Sequence, residues 1–218
     1  MAPRAQIIVS THFDDAVLSL AHVLQAAGPL ATVVTVCGGP PPDGLPVSGW
    51  DAGCGFASGP EAARARVAED AAACAVTGAR PFPLDHADTP YALLPDAATL
   101  QAEIEPLLRG DCTLWLPAGI GNPDHARVRD ALLPLAADGQ IYVDLTYAGA
   151  LEVADANEVR LTPGDFERKL TAVRCHGSQL SSLQREWPDL LDPAGPLARE
   201  RFGQVALAAS ATWPSPAG

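Results

Sequence analysis

The stretch Gln6-Ile7-Ile8-Val9-Ser10-Thr11-His12-Phe13-Asp14-Asp15-Ala16-Val17-Leu18 decides the architecture. Gln6 to Ser10 reads as a short apolar strand. At Ala16 the pattern changes to the helical period, which continues to Ala27 and stops at Gly28-Pro29. Leu30 to Cys37 then reads as a second buried strand, β-branched at Val33, Val34, Thr35 and Val36. A strand, helix and strand at this spacing form a parallel unit with a right-handed crossover.

The alternation continues to the end of the chain. Helices are predicted over 61–78, 96–108, 123–137 and 166–184, and strands over 81–84, 112–116 and 141–145. The expected fold is therefore α/β: a Rossmann-like three-layer αβα domain with a mostly parallel sheet. In such sheets ligands bind beyond the carboxyl ends of the strands, where the strand order reverses.

At 218 residues, the sequence suits one domain spanning 1–218, with a frayed tail over 212–218. Hydrophobic residues at 48% and charged residues at 18% fit a well-cored globular protein. No apolar run reaches the length of a spanning helix. No charged leader with a cleavage site precedes the first strand, so a cytoplasmic protein is expected. The 14 basic and 26 acidic residues give a net charge of −12, which argues against nucleic acid and anionic membranes as partners. Five cysteines, odd in number and without a CxxC spacing, read as reduced and mostly buried. Residues 38–60 are dense in Gly and Pro and carry Trp50 and Phe56. They form either a binding loop or a mobile surface insertion.

Two polar clusters carry the chemistry. His12, Asp14 and Asp15 follow the first strand and open a helix. Asp14 or Asp15 could simply cap that helix. A His and an Asp three apart can also both reach one metal ion, leaving the Asp between them free for proton transfer. The second cluster, Asn122-Pro123-Asp124-His125, follows the 112–116 strand. If the strands before the two clusters are neighbours at the switch point, both clusters share one crevice. His12, Asp15 and His125 then supply two imidazoles and one carboxylate with a fourth position open, the donor set of a catalytic zinc site. Asp14 would stand beside it as a general base. His22 lies in an apolar helix and reads as structural, whereas His86 could face the site or water. No Gly-X-Gly-X-X-Gly follows a strand, so a dinucleotide has no support.

At these residues the sequence resembles the PIG-L (LmbE-like) family of zinc-dependent N-deacetylases. His12 to Asp15 matches the family's His-X-Asp-Asp turn, and Asn122 to His125 its His-X-Asp-His motif with one change. Arg66 and Glu69 match an Arg-X-X-Glu helix, and Tyr142-Val143-Asp144-Leu145-Thr146-Tyr147 a Tyr-X-Asp-X-X-Tyr strand end. Asp88 and His176-Gly177-Ser178-Gln179 match further elements, in order, between about residues 6 and 185. The resemblance implies His12, Asp15 and His125 as ligands to one Zn2+, with Fe2+ able to use the same donors. It implies Asp14 as general base, Arg66 and Asp88 as holders of sugar hydroxyl or phosphate groups, and Tyr147 as a pocket residue. His176 is either a polar contact behind the site or a helix hydrogen-bonder. Asn122 stands where the family has a His thought to stabilise the oxyanion; an amide can donate there but cannot carry a charge. The expected activity is removal of an N-acyl, chiefly N-acetyl, group from an amino sugar or glycosylated small metabolite. Two alternatives stay open: an amidase of a thiol conjugate, and an inactive metal-binding protein that only recognises a ligand. A homo-oligomer is compatible with the sequence.

Overall fold

The computed structural model describes residues 4–89, 91–145 and 157–204. One seven-stranded sheet runs through them in the order β3-β2-β1-β4-β5-β7-β6. Its strands are β1 (Ala5–Ser10), β2 (Ala31–Thr35), β3 (Arg80–Pro83), β4 (Cys112–Pro117), β5 (Gln140–Tyr142), β6 (Asn157–Arg160) and β7 (Arg199–Gln204). The first five pair in parallel, as expected. β6 and β7 add an antiparallel edge beside β5 that the sequence pattern did not reveal. At the other edge, Pro81 and Pro83 fit β3, because an outermost strand loses little from a missing N–H.

The helices are α1 (Asp15–Ala27), α2 (Gly49–Gly53), α3 (Gly59–Thr77), α4 (Ala97–Ile104), α5 (Pro123–Leu132), α6 (Pro163–Cys175) and α7 (Gly177–Glu186). β1 is buried on both faces, and its alternation feeds two cores. Ile8 packs with residues of α1, α3, α6 and α7, while Ile7 and Val9 pack with residues of α4 and α5. The three-layer αβα architecture follows directly.

Three expected elements differ in detail. Residues 166–184 are not one helix: the chain leaves helical geometry at His176 (φ −81°, ψ 48°), and α7 starts at Gly177. Glu69 of α3 accepts from the Ser178 N–H and hydroxyl, both at 2.7 Å, which places a carboxylate on the orphan donors of α7. The 141–145 strand ends its ladder at Tyr142, and the Leu145 N–H turns to Ser19 Oγ at 3.1 Å. Finally, the 38–60 stretch contains α2, and its last residues already belong to α3.

The strand order fixes the switch point. From β1 the chain moves outward through β2 to β3, then returns to place β4 on the other side of β1. The turns after β1 and β4 therefore face the same crevice, the position favoured for a ligand in such sheets.

Candidate active site

The turn after β1 carries His12, Asp14 and Asp15, and the loop after β4 leads to Asn122 and His125 at the start of α5. Gly119 and Gly121 have positive φ (77° and 72°) in that loop. A Cβ on Gly119 would lie 2.6 Å from Ala126 Cα, so only glycine lets the loop fold onto α5.

His12 Nδ1 lies 3.1 Å from His125 Nε2 and 3.5 Å from Asp15 Oδ2. His125 Nε2 lies 3.2 Å from Asp15 Oδ2. These three atoms make a nearly equilateral triangle. Ligands about 2.0–2.1 Å from a tetrahedral zinc stand about 3.3 Å apart, so the triangle has the size of one face of that tetrahedron. Two ring nitrogens facing each other across a carboxylate also make a donor set that suits a divalent cation.

The outer atoms of both imidazoles are engaged. His125 is fully buried, and its Nδ1 lies 2.8 Å from Asp144 Oδ1. Asp144 is itself fixed by the Ile120 N–H, 3.0 Å from Oδ2. This is the carboxylate–imidazole arrangement that orients metal-binding histidines. The linear motif containing Asp144 does not reveal this role, because nothing in a sequence pattern says which His a carboxylate will meet. His12 Nε2 faces Asp88 Oδ1 at 3.2 Å. Burial alone would lower the pKa of His125, but Asp15 and Asp144 raise it to about 9. For His12, burial is likewise outweighed, by Asp88 and Asp15, and the pKa rises well above 6.5. Burial would raise the Asp15 carboxyl, yet the His125 and His12 rings hold it far below its usual range. Asp14 moves the other way, pushed up by burial and by Asp15.

His12, Asp14, Asp15 and Asp88 open onto a cavity of about 330 Å³ with a polar and an apolar part. His12, Asp14, Asp15, Asp88, Thr89, Asn122 and Asp124 contribute polar atoms, and Phe13, Leu18, Leu145, Leu183 and Trp187 contribute apolar wall. Asn122 caps α5, its Oδ1 accepting from the Asp124 N–H at 2.9 Å, so Nδ2 is the donor end of a side chain that lines the cavity. Asp124 accepts from the Thr89 hydroxyl, tying the loop after β3 to α5.

Arg66 also lines the cavity, but its Nη2 donates to buried Asp51 Oδ1 at 2.5 Å. Tyr91 OH donates to Asp51 Oδ2 at 2.6 Å and accepts from the Ser48 N–H at 2.7 Å. The 38–60 stretch is thus bolted to α3 through Asp51. Trp50 lines the cavity, and Phe56 lies under the Arg66 guanidinium. Arg66 Nε, Asp70 Oδ1, both His176 nitrogens and Gln179 Nε2 are buried with no hydrogen-bond partner among the described residues. Ordered water is the usual partner for such a cluster. Burial lowers the pKa of His176, which favours a neutral ring. His86 pairs instead with Glu103, at 2.7 Å, and His22 with Glu200. Tyr147 and the 212–218 tail lie outside the described residues. All five cysteines are free.

No protein-family model matches the chain, and no curated protein matches it significantly. Solved structures do. The chain is similar to the A40926 pseudoaglycone deacetylase Dbv21, at 26% identity and a TM-score of 0.71, over 93% of this chain and 97% of that one. It is similar to N,N'-diacetylchitobiose deacetylase from Pyrococcus horikoshii, at 18% identity and 0.64, over 97% and 87%. It is also similar to the 4-carboxy-2-hydroxymuconate hydratase GalB from Pseudomonas putida, at 16% identity and 0.59, over 92% and 94%. The last two likenesses show the fold alone, and their different reactions mean that function has to be argued from the site.

Proposed function

We propose that this chain is a metal-dependent N-deacylase of the PIG-L (LmbE-like) type, removing an N-acetyl group from an amino sugar or a small glycosylated metabolite. The observation that carries the reading is the triangle of His12 Nδ1, Asp15 Oδ2 and His125 Nε2, with Asp14 next to it on the cavity wall. Those three residues would hold one Zn2+. When bound, such an ion polarises an amide carbonyl and brings water toward ionisation at neutral pH.

The remaining work falls to the chain. Asp14, not engaged in the triangle and with its pKa raised by burial and by Asp15, suits a base that takes a proton from the attacking water. The same carboxyl then returns that proton to the amine nitrogen as the C–N bond breaks, releasing carboxylate and free amine. Asn122 Nδ2 would donate to the carbonyl oxygen as negative charge gathers there. Asp144 holds the His125 ring in one orientation. Arg66 and Asp88 keep a proposed part in substrate binding, Arg66 as a cavity-lining guanidinium held in place by Asp51 and Asp88 from the wall beside His12. The likeness to the A40926 pseudoaglycone deacetylase Dbv21 supports the deacylase class.

Acetate release from a panel of N-acetylated amino sugars and glycosides tests the reading. Asp14→Asn should keep one metal ion per chain and the fold while losing about 10²- to 10⁴-fold in turnover. Absence of acetate release across the panel with metal bound would favour a ligand-recognition protein, and near-normal turnover in Asp14→Asn would move the base elsewhere.

A further inference from the structure

We propose that Trp50 and Glu186 select the substrate: a sugar ring of a neutral or cationic glycoside stacks on Trp50, and Glu186 turns anionic ones away. The inference rests on the deacylase reading for its substrate class, but it concerns residues outside the proposed catalytic group. Of the two aromatic residues in the 38–60 stretch, Phe56 is an anchor under the Arg66 guanidinium. Trp50 belongs to neither hydrophobic core and stays 37% exposed while lining the cavity.

The fold holds that ring firmly. α2 carries Trp50 and is clamped from three neighbouring segments. Ser48 caps α2, its Oγ accepting from the Asp51 N–H at 3.0 Å, and the Ser48 N–H donates to Tyr91 OH in the loop after β3. Asp51 pairs with Arg66 of α3. At the far end, Arg185 of α7 donates to the Gly53 carbonyl at 3.3 Å and to Ser182 Oγ at 2.7 Å. A large aromatic side chain that faces a cavity from a backbone fixed in this way is preorganised for a ligand, so little freedom is lost on binding. A flat indole suits the apolar face of a pyranose, and its π face also attracts an ammonium group.

Charge decides which rings are accepted. Arg66 is the one Lys or Arg among the described residues that line the cavity, and Asp51 neutralises it. It can meet hydroxyl groups but offers no net positive charge to recruit an anion. Asp88, Asp124 and Glu186 line the same cavity. Asp88 faces His12 and Asp124 faces Arg127, whereas Glu186 is exposed and has no ion pair among the described residues. Glu186 ends α7, the helix that clamps α2, and adjoins Trp187, which also lines the cavity. A sulfate, phosphate or carboxylate on the substrate would therefore meet like charge, which suppresses a wrong ligand.

Calorimetric titration of the Zn2+-loaded protein with glycosides that lack an N-acyl group reads binding without turnover. The probes are methyl β-D-glucosaminide, its sulfate ester at the primary hydroxyl, whose anion is a poor metal ligand, and the acyclic amino alcohol ethanolamine. Wild type should bind the glucosaminide at least about 10-fold more tightly than the sulfate ester. Trp50→Ala should lose about 3- to 10-fold in affinity for the glucosaminide and none for ethanolamine, and Trp50→Phe should recover most of the loss. Glu186→Gln should narrow the gap between glucosaminide and sulfate ester at least about 3-fold, with the larger effect at low salt. The proposal is overturned if Trp50→Ala binds the glucosaminide as wild type does, if Glu186→Gln leaves the gap unchanged, or if wild type fails to bind the glucosaminide at millimolar concentration. Acetate release from N-acetylated glycosides, measured in parallel, keeps the two readings apart. Trp50-dependent binding without acetate release would uphold the selection and remove the deacylase reading. Acetate release whose kcat/KM is the same in Trp50→Ala would do the reverse.

Discussion

Asn122 has one observed job and one proposed job, and a single substitution can pull them apart. Its oxygen caps α5, and its nitrogen is the proposed oxyanion donor. Asn122→Ala loses both, and the lost cap alone costs about 1 kcal/mol of stability. Asn122→Asp keeps the cap oxygen but cannot donate, so it should retain thermal stability and metal content while kcat falls by about 10²- to 10³-fold. Equal kcat in wild type and Asn122→Asp would leave carbonyl stabilisation to the metal alone. Asp70 gives a second prediction, on stability. Burial and the nearby Asp14 push its pKa up to about 7, against about 3.9 in an unfolded chain. Between those values the folded state binds the extra proton, so stability falls as pH rises from about 4 to 7 and levels off above. Asp70→Asn removes the titration. It should stabilise the protein at pH 7.5 by up to roughly 4 kcal/mol and gain little near pH 4, as read by urea unfolding at both pH values. A gain equal at both would place the effect outside ionisation. At this scale the motif residues were legible because the turns after β1 and β4 carry them contiguously. Asp144 and Asp51 were not, since each acts on a residue of a different element, His125 or Arg66.

The first helix shows why some elements escape a sequence reading. α1 leaves helical geometry at Leu20 (φ −136°, ψ 30°), and the freed N–H groups of Ala21 and His22 donate to Glu200 on β7 at 2.9 and 3.0 Å. Lys169 of α6 reaches the same carboxylate at 2.6 Å, and both side chains are fully buried. One acid thus joins α1, α6 and the antiparallel edge. Burial works against the charge on each partner: it lowers the Lys169 pKa, while in Glu200 it is outweighed by Lys169 and His22, which hold the carboxyl below its usual value. Glu200→Ala leaves Lys169 buried without its counter-charge and strands two backbone donors. It should cost about 3–5 kcal/mol, whereas exchange of the pair for apolar residues of similar volume should cost far less. Because the folded Glu200 pKa is depressed, its contribution is present above about pH 4.3 and fades as pH falls further, so the gap between wild type and Glu200→Ala should narrow in acid. A gap independent of pH would assign the loss to the backbone donors. The parallel core was readable because its strands are apolar runs divided by helices of ordinary period. β7 was not: Arg199-Glu200-Arg201 looks like solvent-facing chain until Lys169 and the break in α1 are placed opposite it. The split at His176 was hidden similarly, since the capping Glu69 lies on another helix.

In the molecule as a whole, the proposed metal site acts as a clasp at the switch point. Two ligands come from the turn after β1 and the third from α5, so a bound ion ties together segments more than a hundred residues apart in the chain. The unfolded chain has no such preformed triangle, so metal binding should appear as folding stability that grows with the logarithm of metal concentration over its dissociation constant. An ion at about a hundred times that constant contributes about 2.7 kcal/mol, enough to raise the melting temperature by several degrees in a domain of this size. Chelation should therefore lower the wild-type melting temperature, and stoichiometric Zn2+ should restore it. His125→Ala, with one ligand gone, should lose most of that Zn2+-dependent shift at that ratio. Asp144→Ala should fall between: its ligands are intact but the His125 ring is no longer held, which commonly weakens metal affinity about 10- to 100-fold. Its metal-dependent shift should thus appear only at higher Zn2+. An Asp144→Ala protein that binds Zn2+ as tightly as wild type would reduce Asp144 to a packing group. A wild-type melting temperature indifferent to chelator and Zn2+ alike would remove the clasp, and with it the geometry on which the deacylase reading stands.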